Sequence, residues 1–209
     1  MPTSQDSVFV VKSMKGYKAR MALLDAALEL IAMKGVSGFS IGDLCDQAGI
    51  KRTSFYTYFK TIDDLLEELS LREEAGFDER FAELYGDMKP GIRRLFISII
   101  GFFKISLEDN TWNQAVIRLM AEHQPTIDRN TQSVVEDIDA AINAGEVELT
   151  RLQAGLFKNL LLSTLHHIET EEFRREPTQY LDAMCAFLLT VANANALAKE
   201  SVQQVLAEM

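Results

Sequence analysis

Cysteine, histidine and proline are scarce in this sequence, with two, three and four residues among 209. Cys45 and Cys185 lie far apart and form neither a CxxC pair nor another metal-ligand spacing. We therefore expect two small buried thiols in a reducing cytoplasm. His166, His167 and Glu169 carry metal-ligand chemistry, but adjacent helical residues point about 100° apart. A surface or interface role for these histidines is therefore the stronger interpretation.

Long apolar runs and catalytic motifs are also missing. Because no stretch of about eighteen uncharged apolar residues is present, we expect no transmembrane helix and no membrane partner. The start, MPTSQDSVFVVKSMKG, has no basic region ahead of a long apolar run, so we expect no signal peptide and a cytoplasmic protein. There is no glycine-rich phosphate loop, nucleophile elbow or HExxH motif. The sequence therefore predicts neither an enzyme nor a cofactor.

Charge is distributed unevenly along the chain. The formal net charge is −10, but residues 1–62 carry a net charge of +3 and the remainder carries −13. A basic N-terminal segment on an acidic body is typical of a protein that presents one end to a polyanion.

Strand signals are nearly absent, whereas apolar residues recur at helical spacing throughout the chain. Ser40 and Thr61 are predicted N-caps, and Pro90 is predicted in the first turn of a buried helix. The predicted helices cover about 18–34, 41–48, 51–59, 62–86, 90–109, 111–123, 125–144, 150–172 and 177–208, the last with a break near 193–195. The fold class is all-α. We divide it into an N-terminal arm and three-helix head, residues 1–62, and a larger helical body, residues 63–209, joined by a long helix.

The segment AGIKRTSFYTYFK, residues 48–60, carries the clearest functional signal. Two short helices joined by Ala48-Gly49-Ile50 match a helix-turn-helix, whose second helix is free to enter a DNA major groove. Phe55 and Phe59 are four residues apart and can pack inward, while Tyr56 can direct its hydroxyl outward. The remaining cations and hydroxyls suit phosphate oxygens and base edges: Lys51, Arg52, Thr53, Ser54, Thr57, Tyr58 and Lys60. The alternative is an amphipathic hairpin in a helical protein.

Residues 20–35 (RMALLDAALELIAMKG), 40–50 (SIGDLCDQAGI), 54–59 (SFYTYF) and 63–66 (DDLL) resemble the DNA-binding head of the tetracycline-repressor (TetR) family. The resemblance implies a homodimeric transcription factor, usually a repressor, released from a palindromic operator by a small ligand in the body. It also implies that Ser40 caps the second helix and touches a phosphate. Base contacts would come from Lys51, Arg52, Thr53 and Ser54, and DNA backbone contacts from Tyr56 and Tyr58.

Three positions depart from the family pattern. Lys51 stands where a serine often caps the recognition helix, and Thr53 stands where glycine is common. Ile62 replaces a frequent phosphate-binding lysine, for which Lys60 is a substitute. These departures leave the operator sequence undefined.

The N-terminal segment has two interpretations. It is either an arm along the minor groove or a solvated tail, and its lysines are Lys12, Lys15 and Lys18.

Large apolar side chains with a few polar neighbours suggest a ligand cavity in the body. The candidate lining residues are Phe77, Phe81, Phe96, Phe102, Phe103, Trp112, Met120, His123, Phe157 and Asn159. Plain core packing is the alternative for each aromatic residue. The acidic body favours a neutral or cationic ligand over an anionic one.

The last two long helices carry an apolar seam that fits a four-helix dimer interface. The seam comprises Leu152, Leu156, Leu160, Leu165, Tyr180, Leu181, Met184, Phe187, Leu188 and Val191, with small residues at Gly155, Ala183, Ala186, Ala192 and Ala194. A monomer that buries the seam internally is the alternative.

The partners expected are therefore double-stranded operator DNA, a second copy of the chain and an unidentified small effector. An effector-independent activator or architectural factor, or a helical enzyme or binding protein, are the competing functions.

Overall fold

The computed structural model describes residues 14–164 and 171–209, and within these ranges the chain is helical and contains no strand. The N-terminal helices are α1 (Met14–Lys34), α2 (Ile41–Ala48), α3 (Arg52–Tyr58) and α4 (Ile62–Arg80). The body contains α5 (Ala82–Tyr85), α6 (Ile92–Glu108), α7 (Asn110–Glu122), α8 (Gln124–Asn143), α9 (Arg151–Thr164), α10 (Glu171–Arg175), α11 (Pro177–Val191) and α12 (Ala196–Glu208). The all-α prediction is confirmed. Lys12, Leu165, His166, His167 and Glu169 lie outside the described residues.

Local capping chemistry explains where the short helices begin. The Ser40 side chain accepts a hydrogen bond from Asp43 N at 3.2 Å, and Asp43 Oδ2 accepts one from Ser40 N at 2.8 Å. Thr61 and Asp64 form the same capping box at the start of α4. Each box satisfies amide groups that a helix leaves free at its first turn. Both predicted caps are therefore confirmed.

The prediction for Pro90 is wrong, because α6 begins two residues later. Its first amides are satisfied from elsewhere in the fold: Asp137 Oδ1 accepts from Gly91 N and Glu146 Oε2 accepts from Ile92 N, both at 2.9 Å. Side chains from α8 and the turn after it thus cap α6. This cap depends on tertiary structure and has no local signal.

The helix predicted over residues 62–86 is interrupted at Phe81, and the short helix α5 follows. The Phe81 ring lies against Gly101 in the middle of α6, where an added Cβ would come within 2.7 Å of the ring. A glycine there permits the close contact. The break near residues 193–195 is also present, and Asn193 has a positive φ of 48° between α11 and α12.

Two hydrophobic clusters organise the described residues. The first packs α6, which is buried on nearly every side as its sequence predicts, among residues of α8, α9, α11 and α12. The second, which we call the head cluster, is built on α1–α4 and also contains Ala115 and Leu119 of α7. The predicted boundary near residue 62 stays a prediction, and the head cluster extends past it to Leu69 and α7.

Candidate nucleic-acid interface and candidate ligand cavity

The turn between α2 and α3 sets the direction of the third helix. Gly49 adopts the left-handed conformation (φ 66°), which glycine tolerates without a steric penalty. Its amide donates to Asp46 O at 3.3 Å, and Ile50 N donates to Cys45 O at 2.9 Å. These bonds end α2 and redirect the chain within three residues, as a helix-turn-helix requires.

One side of α3 is anchored in the head cluster. Phe55 and Phe59 are 0% and 2% exposed, and their ring centroids lie 5.9 Å apart. The Arg20 guanidinium lies 4.8 Å from the Phe59 ring centroid and forms an ion pair with Glu68 of α4. Arg20 Nη1 also donates to Tyr58 O at 3.4 Å. A single arginine therefore joins α1, the end of α3 and α4.

The other side of α3 carries the residues predicted to contact DNA. Tyr56 is 54% exposed, and its ring meets the edge of Phe55 at a centroid distance of 5.5 Å. Ser54 and Tyr58 are half-buried. The exposed members of the set are Ser40, Lys51, Arg52, Thr53, Tyr56, Thr57 and Lys60. Eight of the nine predicted residues thus lie on α3 or next to its ends, and Ser40 is the N-cap of α2. Their contacts with DNA stay a prediction.

The Ser40 cap also fixes the charge at the start of α2. The side-chain and backbone hydrogen bonds from Ser40, followed by the Lys34 ammonium, lower the pKa of Asp43 to about 2. Asp43 is therefore ionised at neutral pH. The Ser40 amide and hydroxyl both donate to Asp43 Oδ2, at 2.8 and 2.6 Å, so a phosphate contact by Ser40 would require one of these donors to leave the carboxylate.

Helix α7 joins the head cluster to the body. Arg118 Nη1 donates to Ile31 O at 2.8 Å near the end of α1, and Glu122 Oε2 accepts from Val36 N at 3.2 Å in the loop before α2. Between these two contacts, Leu119 is buried in the head cluster. Sequence periodicity gave no signal for these polar contacts, because each partner is a backbone group.

A cleft of about 180 Å³ lies where α4, α6, α7 and α8 meet. Four of the ten predicted ligand residues line it: Phe77, Phe102, Trp112 and Met120. The Phe102 and Trp112 ring centroids are 5.5 Å apart, and Trp112 Nε1 donates to Glu73 Oε2 at 3.0 Å. The indole is thus held by one hydrogen bond and one ring contact.

The other six predicted residues lie outside this lining. Phe81, Phe96, Phe103 and Phe157 are buried in the body core. Asn159 is exposed on α9. His123 is buried beside the cleft, and its Nδ1 lies 2.8 Å from Thr126 Oγ1, a lining atom. The ligand-binding role of all ten residues stays a prediction.

Sequence reasoning did not identify the polar residues of the cleft. Thr126 Oγ1 donates to Ser70 Oγ at 2.7 Å, and Arg129 Nη2 donates to the same oxygen at 2.6 Å. Asp137 is buried and accepts from Arg94 Nε at 2.6 Å. Its burial raises its pKa, while Gly91 N and Arg94 lower it. The available signal was a carboxylate next to Ile138 on the apolar face of α8.

The predicted dimer seam divides into buried and exposed residues. Those that pack inside the chain are Leu181, Met184, Leu188, Ala192 and Ala194, with Leu160 and Tyr180 half-buried. Those that remain on the surface of α9 and α11 are Leu152, Gly155, Leu156, Ala183, Ala186, Phe187 and Val191. Leu152, Leu156 and Phe187 are 76%, 62% and 57% exposed. The exposed positions follow helical spacing, so each helix presents an apolar surface without a partner in the chain's described part.

Comparison with known proteins relates the N-terminal helices of this chain to a protein family. Residues 23–69, from α1 into α4, match the family model described as bacterial regulatory proteins, tetR family. The matched segment belongs to the tetR family. The match covers the helix-turn-helix together with Phe55, Phe59 and Glu68, and it confirms the resemblance predicted from the sequence.

Relatives of this chain are named as regulators rather than enzymes. It is 31% identical over 87 residues to the transcriptional regulator AcrR of Shigella flexneri, which covers 40% of each protein. It is 27% identical to the fatty acid metabolism regulator protein of Bacillus subtilis, across 66% of this chain and 70% of that one. The first match therefore spans less than half of the relative's length.

Solved structures share the fold of this chain across most of its length. A tetR-family transcription regulator from Shewanella sp. PV-4 has a TM-score of 0.66 at 16% identity, covering 85% of this chain and 99% of that one. FadR from Bacillus subtilis, in complex with stearoyl-CoA, has a TM-score of 0.55 at 19% identity, covering 90% and 98%. RolR in complex with resorcinol has a TM-score of 0.58 at 18% identity, covering 90% and 94%. None of the helices in residues 14–164 and 171–209 combines the length and apolar character needed to span a bilayer.

Proposed function

We propose that this TetR-family transcription regulator is a homodimeric repressor that leaves a palindromic operator when a small effector enters the cleft between α4, α6, α7 and α8. The observation that carries the proposal is the two-sided character of α3. Phe55 is fully buried, whereas Arg52, Thr53 and Tyr56 are exposed on the same short helix. Cationic and hydroxyl groups on a firmly anchored helix are suited to phosphates and base edges in a major groove.

The exposed apolar surfaces of α9 and α11 support dimerisation. Leu152, Leu156 and Phe187 would be buried if these helices packed against the same helices of a second copy. Burial of each such side chain is worth about 1.5–3 kcal/mol. Two-fold symmetry then gives two copies of α3, which a palindromic operator requires about 34–36 Å apart.

Helix α7 offers a physical route from the cleft to the head. Leu119 belongs to the head cluster and also lines the cleft, and Val116 and Met120 flank it on the lining. An effector that needs more room than the cleft provides would press on α7, which contacts α1 through Arg118. A shift of α7 favours a different head position, and a ligand that binds that arrangement better will populate it.

Selection of bound duplexes from random DNA at a fixed, stated salt concentration tests the proposal. We expect an enriched inverted repeat. Tyr56→Phe should weaken binding to all sequences, whereas Arg52→Ala should also change which bases are preferred. Lys89→Ala, which removes an exposed cation from the loop before α6, is the control and should leave selection unchanged.

The selection is run with and without a small-molecule extract of cells, because an effector can favour or oppose binding. If no inverted repeat is enriched under either condition, or if both α3 variants select the wild-type repeat with wild-type affinity, the proposal is wrong. Enrichment that the extract never changes would favour an effector-independent regulator instead.

A further inference from the structure

The lining of the cleft combines aromatic rings with carboxylates. Four acidic residues line it: Glu73, Glu74, Asp78 and Asp137. No lysine or arginine is among the lining residues in the part of the chain that the structure describes. Phe77, Phe102 and Trp112 contribute ring surface to the same space.

Three arginines contact three of these carboxylates, but each arginine also lies within 4 Å of an acidic residue outside the lining. Arg72 contacts Glu73 and also Asp25, and Arg129 contacts Glu74 and also Glu67. Arg94 contacts Asp137 at 2.6 Å and approaches Glu136 at 4.0 Å. Each arginine is thus balanced by carboxylates that include one outside the lining, and the cleft keeps a negative excess.

Asp78 is the lining carboxylate that contacts none of these three arginines. No hydrogen bond or ion pair within 4 Å joins its side chain to another residue in the described ranges. Asp78 and Phe77 both lie on α4 and both line the cleft, so the carboxylate and the aromatic surface belong to the same space. Burial raises the pKa of Asp78, and the field of Arg94 opposes this only in part. Asp78 is exposed at the cleft, so its carboxylate is accessible to a cation that enters from solvent, and a positive charge there would be favoured.

We propose that the effector of this chain is an apolar molecule carrying one positive charge, an amine or quaternary ammonium, with its cationic group at Asp78 and its apolar part among Phe102, Trp112 and Phe77. Aromatic faces also attract a cation within about 6 Å of the ring centroid, so the rings favour the same sign of charge as the carboxylate. An anionic ligand such as the stearoyl-CoA bound by the FadR structure would meet an excess of like charge here. The inference rests on the proposed function, because it takes the cleft as the effector site.

The test is direct binding of three probes of similar size to the purified protein without DNA. Benzyltrimethylammonium carries the charge, neopentylbenzene is its neutral isostere, and phenylacetate is an anion with the same ring. We expect the cation to bind about tenfold more tightly than the neutral isostere, with no binding of the anion. Asp78→Asn should remove most of this difference. Asp87→Asn, which removes an exposed carboxylate from the loop after α5, is the matched control and should preserve it.

Equal binding of cation and isostere, tighter binding of phenylacetate, an unchanged preference in Asp78→Asn, or binding of none of the three would each overturn the inference. A separate measurement of operator release by the cation distinguishes the two proposals. Charge-selective binding without release would leave the inference standing and contradict effector-controlled repression. Release by a neutral or anionic compound alone would do the reverse.

Discussion

The indole Nε1 of Trp112 donates a hydrogen bond to Glu73 Oε2 at 3.0 Å, and this bond joins α7 to α4 across the lining of the cleft. Trp112→Phe removes the bond and keeps an aromatic ring. Because Glu73 retains Arg72 as a partner, we expect the free energy of unfolding to fall by only about 0.5–1.5 kcal/mol. Urea unfolding measures the change, and Trp112→Leu should cost more. A Phe variant as stable as wild type would show that the bond contributes nothing.

Arg20 is expected to be required for DNA binding although it lies on α1. Arg20→Lys keeps the charge, but it loses the two-pronged contact with Glu68 and the guanidinium contact with the Phe59 ring. We expect a loss of about 1.5–3 kcal/mol in stability and weaker binding to all DNA sequences, with unchanged base preference. Denaturation and titration with selected and random duplexes measure both. Altered base preference would mean that Arg20 reads DNA directly.

Gly101 is expected to tolerate no side chain. Gly101→Ala places a Cβ within 2.7 Å of the Phe81 ring and should cost about 1–3 kcal/mol. Gly76→Ala is the control, because nothing lies within 4 Å of its added Cβ in the helix α4, and it should stabilise by about 0.5–1 kcal/mol. Thermal unfolding compares the two. Partial recovery in Gly101→Ala with Phe81→Leu would confirm the cause, and its absence would contradict it.

The apolar surface of α9 is expected to control oligomeric state. Leu152 and Leu197 are both 76% exposed, but Leu197 lies on α12, outside the seam. Leu152→Arg should convert a dimer to a monomer in sedimentation and reduce affinity for an inverted repeat at least about tenfold, because one half-site is then bound at a time. Leu197→Arg should change neither. If both variants stay dimeric, the interface lies elsewhere.

Stability is expected to fall as the pH drops below about 6.5 because of His123. Burial lowers its pKa in the folded protein; Glu67 and Asp63 raise it and Arg129 lowers it, but burial is the largest influence. The unfolded chain therefore takes up a proton near pH 6.5 that the folded chain binds only at lower pH. His123→Gln should reduce the difference in unfolding free energy between pH 7.5 and 5.5. An unchanged difference would assign it to other groups.

The fold was predictable where local chemistry decides it. Ser40 and Thr61 are strong N-caps followed by Asp at the third helical position, so the helix starts could be read from four residues. The start of α6 could not, because Asp137 and Glu146 cap it from distant parts of the chain.

The sequence predicted an aromatic cavity in the body, but it did not predict which residues line that cavity. Helix α6 is apolar on nearly all sides, so its periodicity does not show which face meets the cleft, and Phe96 and Phe103 proved to be core residues while Phe102 lines it. Its polar lining depends on how α4 and α8 approach each other. Asp78 is separated from Asp137 by more than fifty residues, so no sequence motif links them.

The head cluster has a consequence for how such proteins can be recombined. Ala115 and Leu119 of α7 belong to the same hydrophobic cluster as Leu23 and Leu44. Helices α1–α4 therefore share their interior with a helix of the body. A fragment ending after α4 would expose the apolar surface that α7 now covers. A chimera that borrows the first four helices of a relative must therefore also carry a matching α7 surface, and exchange of operator specificity is simpler on the exposed side of α3.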